Sequence, residues 1–200
     1  MTELLFAAAG YLVGSLPFGY WLVRLVEGED IRRQGSGNIG ATNVWRTYGR
    51  RLGIPVVLLD VAKGFAPALA GLAVGGEWAG VLAGAAAMVG HARPLYLRLG
   101  KGGKAVATAG GVTFALAPLA AACCVGIWVL AFLLTRYASV ASLATATALP
   151  LLAVAFGEPW PTVAFAVAAS VAVWFLHRHN IRRLLAGTES RFRLRRTADV

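Results

Sequence analysis

Six apolar runs, near residues 4–26, 53–74, 78–97, 105–135, 138–157 and 160–177, dominate a chain of only 200 residues. A run of this length crosses a hydrocarbon layer of ~30 Å as a helix and has no place in a small water-facing core. The chain therefore reads as an all-α integral membrane protein, a single polytopic domain over residues 1–200.

One run does not fit a single crossing. A helix through 105–135 would be about 46 Å long at the usual rise per residue. Charge settles the division. Arg32, Arg33, Arg46, Arg50 and Arg51 fall in 27–52, Arg93, Arg98, Lys101 and Lys104 in 93–104, and seven Arg in 178–200. The positive-inside rule places these two loops and the tail in the cytoplasm. The start of the chain, Gly75-Gly76-Glu77 and Gly157-Glu158-Pro159 carry no Lys or Arg and belong outside. Parity then requires 105–135 to leave the cytoplasm and return, as 105–117 and 118–135 broken near Pro118. The expectation is about seven transmembrane helices, N-terminus outside and C-terminus cytoplasmic, with the first run retained as a span.

The net charge of +10 comes from basic residues clustered between apolar runs, which excludes nucleic acid as the expected partner and favours membrane lipids and small anions. Cys123 and Cys124 are adjacent inside a run and lack metal-ligand spacing, so no metal is expected.

Chemistry concentrates in the loops. Gly35, Gly37 and Gly40 spell G-x-G-x-x-G, but they follow a membrane span rather than a β-strand, so the dinucleotide fingerprint is rejected. No stretch has Walker A spacing either. What remains is the physics such motifs share. Glycines let successive N–H groups face one concavity, Ser36, Asn38, Thr42 and Asn43 add neutral donors, and Arg46 adds a fixed fork. A phosphate fits such a loop; so does a plain cytoplasmic turn. The segment Gly100-Lys101-Gly102-Gly103-Lys104 repeats the recipe, and Ser139 with Ser142, then His177 with Asn180, add polar groups on the same face. Asp60 and Lys63 share a helix face inside the second run, as a site or as an internal pair supporting the loop.

The ordered series GSLPFGYWL, DIRRQGSGNIGATNVWR, LLDVAKG, GHARPLYLRLGKGGKAVAT, RYASVASL and HRHNIRRLLAGTE resembles the bacterial acyl-phosphate:glycerol-3-phosphate acyltransferases over nearly the whole chain. Ala105 departs from that pattern, which has glycine there. The resemblance implies transfer of a fatty acyl group from acyl phosphate to the 1-hydroxyl of sn-glycerol 3-phosphate, without a cofactor, at the cytoplasmic face of the bacterial inner membrane. It also implies an acyl-phosphate-forming enzyme as a partner. Carried over residue by residue, it makes Ser36, Arg46, Lys104, His177 and Asn180 catalytic. Gly37, Asn38, Gly40, Thr42, Asn43, Lys101, Gly102, Gly103 and Ser142 would bind substrate and Glu189 would be structural, as the pair Asp60 and Lys63 is expected to be from its shared helix face. No His-x4-Asp dyad is present, since Tyr96 follows His91 and Arg182 follows His177 at that spacing. A small organic-phosphate transporter is the alternative from another class, disfavoured because the cations gather at one face rather than at mid-membrane.

Overall fold

The computed structural model describes residues 1–192, and throughout them it is helical, without strands. Helices α1 (Thr2–Gly14) and α2 (Phe18–Val26) lead through a loop into α3 (Ala41–Tyr48) and the long α4 (Arg50–Ala92). Helices α5 (Val106–Leu116), α6 (Pro118–Thr135), α7 (Ala138–Ala155), α8 (Trp160–Leu176) and α9 (Arg178–Leu185) follow. Among the described residues four stretches are long and apolar enough to cross a membrane, or five when α8 and α9, bent by 55°, are taken together. The Arg of the tail at 193, 195 and 196 lie outside the described residues.

The breaks between helices follow from local chemistry. The run at 4–26 is interrupted at Ser15-Leu16-Pro17, where the Pro17 ring excludes the helical backbone and removes an N–H. Gly76 adopts φ 76°, outside the helical region, and divides α4 into two limbs, 50–75 and 77–92. The limbs fold into a hairpin, because a Cβ on Gly71 would meet the Ala79 carbonyl at 2.6 Å and one on Gly80 the Ala68 carbonyl at 3.0 Å. The expected outer link at Gly75-Gly76-Glu77 is thus a real turn. The run at 105–135 breaks at Ala117 before Pro118, as expected, but unequally: α5 has 11 residues and α6 has 18. At ~1.5 Å per residue α5 alone is shorter than the hydrocarbon layer, so a crossing there draws on the non-helical residues before Val106 and at Ala117.

Small residues let the backbones touch. Gly10 and Gly14 of α1 lie against Ala83 and Ala87 of the second limb of α4, so these two helices run in parallel. Val112 of α5 fills the space that Gly84 leaves empty. One apolar core of Ala68, Val112, Leu116, Leu149 and Phe165 joins α4, α5, α7 and α8. A second, of Val23, Ile31, Ile39, Val44, Leu52 and Val56, lies beneath the loop before α3. Burying each such side chain contributes about 1.5–3 kcal/mol, which pins that loop at Ile31 and Ile39. Outside, Leu58, Leu119, Leu134, Leu151 and Phe175 are exposed, an exterior suited to lipid.

Candidate active site

The loop before α3 is shaped by its glycines and one amide. Gly35 and Gly37 take φ 56° and 68°, the region L side chains avoid. Asn43, on the first turn of α3 and buried, then ties the loop together. Its Oδ1 accepts from the Ser36 N–H at 2.9 Å, and its Nδ2 donates to the Gln34 and Asn38 carbonyls at 3.0 and 2.9 Å. Asn38 in turn accepts from the Gly40 N–H at 2.8 Å and donates to the Gly102 carbonyl at 3.4 Å, joining the two glycine-rich segments. With these bonds made, the Asn43 amide holds the loop in shape.

The opposite wall is built around Glu189. Its Oε1 accepts from Ser139 Oγ at 2.9 Å and Asn180 Nδ2 at 2.7 Å, and its Oε2 from Arg183 Nε at 2.7 Å. Burial raises the pKa of this carboxyl, but the three donors outweigh it and hold the group below the usual carboxylate range. The residues after it seal the wall: Arg46 donates to the Ser190 carbonyl at 3.3 Å, and the Phe192 N–H donates to the Arg136 carbonyl at 2.8 Å. The Phe192 ring packs edge-on against Trp45 and Phe132.

Between these walls lies a cavity of roughly 1030 Å³. Its polar mouth is formed by Ser36, Asn38, Gly40, Thr42, Arg46, Lys104, His177, Asn180 and Arg183. Its interior continues between helices past Phe114, Ala121, Val125, Leu149 and Ala169. Burial holds the Lys104 ammonium down at about 8, with Glu189 opposing the shift and Arg183, Arg46 and Lys101 adding to it. His177 Nδ1 lies 2.8 Å from the Val173 carbonyl, which only accepts. The neutral ring therefore carries its proton on Nδ1 and leaves Nε2 free to accept.

Most of the expected site residues meet here, but not all in the same way. Gly37, Lys101, Gly102 and Gly103 stay off the lining; Gly102 and Gly103 instead donate to the Ala92 and His91 carbonyls, both at 3.0 Å. Ser142 lines the cavity, yet its hydroxyl donates to the Ala138 carbonyl at 2.7 Å and accepts from Trp128 Nε1 at 3.3 Å. Asp60 and Lys63 form a buried pair 2.8 Å apart. Ala105, where the family pattern has glycine, takes φ 58°, a left-handed conformation that glycine adopts freely. Three groups were not singled out by sequence: Arg183, which looked like one more basic tail residue, and the rings of Trp128 and Phe192. No local pattern signals the rings, because Trp128 meets the site through Ser142 and Phe192 through Trp45 and Phe132, whereas Arg183 is held by Glu189 only six residues on.

Fold and cavity together define a polytopic membrane protein with a cationic mouth opening on an apolar interior, the form required to join a phosphorylated polar molecule to a hydrocarbon chain. The comparisons with known proteins agree. A family model described as glycerol-3-phosphate acyltransferase matches residues 4–187. A glycerol-3-phosphate acyltransferase of Synechococcus sp. (strain JA-3-3Ab) is 47% identical over 191 residues, covering 96% of this chain and 94% of that protein. One of Desulforudis audaxviator (strain MP104C) is 45% identical over 196 residues, covering 98% of each. The crystal structure of PlsY (YgiH), an integral membrane glycerol 3-phosphate acyltransferase in its glycerol 3-phosphate form, matches with a TM-score of 0.92 at 39% identity over 96% of each chain. Its lysophosphatidic acid form matches with a TM-score of 0.88 at 38% identity, again over 96% of each chain. The chain belongs to the glycerol-3-phosphate acyltransferase family. The resemblance seen in its motifs is borne out, and nothing in these relatives favours a transporter.

Proposed function

We propose that the protein transfers a fatty acyl group from an acyl phosphate to the 1-hydroxyl of sn-glycerol 3-phosphate, releasing lysophosphatidic acid and inorganic phosphate. The observation that carries this reading is a cavity whose mouth gathers Arg46, Lys104 and Arg183 while its interior is apolar. Two phosphorylated reactants need the first part and an acyl chain needs the second. Arg46, with the hydroxyls of Ser36 and Thr42, holds the phosphoryl group and carbonyl of the donor. Lys104, with His177 and Asn180, holds glycerol 3-phosphate.

The hydroxyl oxygen attacks the acyl carbon, the bond from that carbon to the phosphate oxygen breaks, and phosphate leaves with the electron pair. Phosphate is a stable leaving group, so positioning and cationic stabilisation supply most of the rate. The hydroxyl proton passes to an oxygen of the departing phosphate; His177, with Nε2 free, is the other acceptor within the mouth. Residues 1–200 act as one domain with seven crossings, the N-terminus outside, and the mouth at the cytoplasmic face of the bacterial inner membrane. Arg32, Arg46, Lys101 and Arg183 at that face support this orientation. The donor comes from an acyl-phosphate-forming enzyme on the same side.

The test is phosphate release by purified protein given palmitoyl phosphate and glycerol 3-phosphate, beside an Arg46→Ala variant and a sample given an acyl thioester. Release coupled to lysophosphatidic acid is expected, at least 100-fold lower in the variant and absent with the thioester. Turnover from the thioester would remove acyl phosphate as the donor. Loss of turnover in His177→Gln with both substrates still bound would make the histidine the base. Labelling from outside of a cysteine placed at Pro118, with Cys123 and Cys124 replaced, checks the topology.

A further inference from the structure

Asp60, Lys63 and His91 take no part in the mechanism above, yet all three are charged or titratable and are 2%, 3% and 4% exposed. Ionisable groups are costly between membrane helices, and an ion pair there contributes little net stability over apolar packing. Their contacts show what they hold. Lys63 Nζ bridges Asp60 Oδ1 and the Leu16 carbonyl, both at 2.8 Å, and so satisfies an oxygen that the break before Pro17 leaves unpaired. Asp60 Oδ1 lies 3.6 Å from His91 Nδ1. The other edge of the His91 ring is pressed against Gly103, where a Cβ would overlap Nε2. Backbone bonds from Gly102 to Ala92 and from Gly103 to His91 complete the seat, and Lys104 is the next residue.

We propose that Asp60, Lys63 and His91 act as one buried positioning unit that seats Gly102 and Gly103 and thereby fixes where Lys104 meets the phosphate of glycerol 3-phosphate. Asp60 and His91 also border the cavity, but the unit is assigned a positioning part and no contact with a reacting atom. It links the first-span break, both limbs of α4 and the second glycine-rich segment, and Asn38 extends it to the first glycine loop through the Gly102 carbonyl. The inference rests on the role of Lys104 given above.

The experiment is steady-state kinetics of the full chain in His91→Gln, Lys104→Gln and the double variant, with KM measured for each substrate. In His91→Gln, KM for glycerol 3-phosphate is expected to rise about 10-fold while KM for acyl phosphate and kcat change less than 3-fold. In the double variant the two effects are expected not to multiply, since both act through the same ammonium group. Equal increases in both KM values, or effects that multiply, would overturn the positioning unit alone. Lys104→Gln with unchanged KM would overturn it together with the assigned role of Lys104. A second pair guards against misfolding. Gly103→Ala is expected to lose more than 10-fold in kcat/KM, and His91→Ala in the same chain to recover part of it by vacating the overlapped space. Absence of that recovery likewise overturns the seat.

Discussion

The two walls of the cavity mouth do the same task with different chemistry. The loop at 34–43 is held by a neutral amide, Asn43, that both donates and accepts, and by glycines at positive φ. The segment at 186–192 is held by a carboxylate, Glu189, that only accepts, from three donors on two helices. The first wall is mainly a local device, since the Asn43 hydrogen bonds span nine residues or fewer, and only Asn38 reaches out, to the Gly102 carbonyl. The second adds a long-range clasp to local ties: Asn180 and Arg183 lie nine and six residues from Glu189, but Ser139 is bonded across 50 residues and Arg46 reaches the Ser190 carbonyl across 144. The loop keeps its shape once α2, α3 and the start of α4 close the small core beneath it; the clasp needs α7 and α9 as well.

Substitutions separate the two designs. Glu189→Ala is expected to have the largest effect, because it strands Ser139 and Asn180 as buried donors. We expect a loss of about 2–4 kcal/mol, discounted for the partly exposed Arg183 arm, and at least a 100-fold fall in turnover, read by thermal unfolding and phosphate release. Asn43→Asp should cost about 2–3 kcal/mol, no less than Asn43→Ala, since a carboxylate has no N–H for the Gln34 and Asn38 carbonyls. Equal stability of Asn43→Asp and the parent would break the comparison. Gly35→Ala is expected to cost about 1–2 kcal/mol from its φ of 56°, with a raised KM for the donor as the functional sign.

Acidity offers smaller effects. Lys104, held at about 8, loses its proton as pH rises through that value, so KM for glycerol 3-phosphate should climb by roughly tenfold per pH unit once well above it. Lys104→Arg should flatten that rise. The smallest difference concerns the walls themselves. The carboxyl of Glu189 is held below its ordinary range, so the stability it contributes is complete above the ordinary value and is lost as pH falls through the lowered one. Hydrogen exchange at the Phe192 N–H should therefore quicken severalfold in acid beyond the intrinsic change, while the Ser36 N–H, bonded to an amide that does not titrate, should not.

Much of this was legible in the sequence, and the limits have physical causes. Gly76 and Pro118 mark true breaks because glycine and proline act on the backbone locally. The same local logic was available at Pro17, yet the apolar run 4–26 is continuous enough to hide the interruption. Hydropathy cannot register α3, whose eight residues lie inside a basic loop. Ser36, Arg46, Lys104 and His177 could be nominated from residue type, and all four line one cavity. The duties of Asn43, Ser142 and Gly103 could not, because each depends on which partner lies opposite, and that is fixed only by helix packing.

The placement of Glu189 also has a consequence in time. A chain emerging from the ribosome makes the glycine loop first and the carboxylate last, after every helix that it ties together. Until synthesis has passed residue 189 the cavity has one wall, so a nascent or interrupted chain already sitting in the bilayer holds the loop but lacks the clasp, and a substrate meeting it encounters an unfinished catalyst.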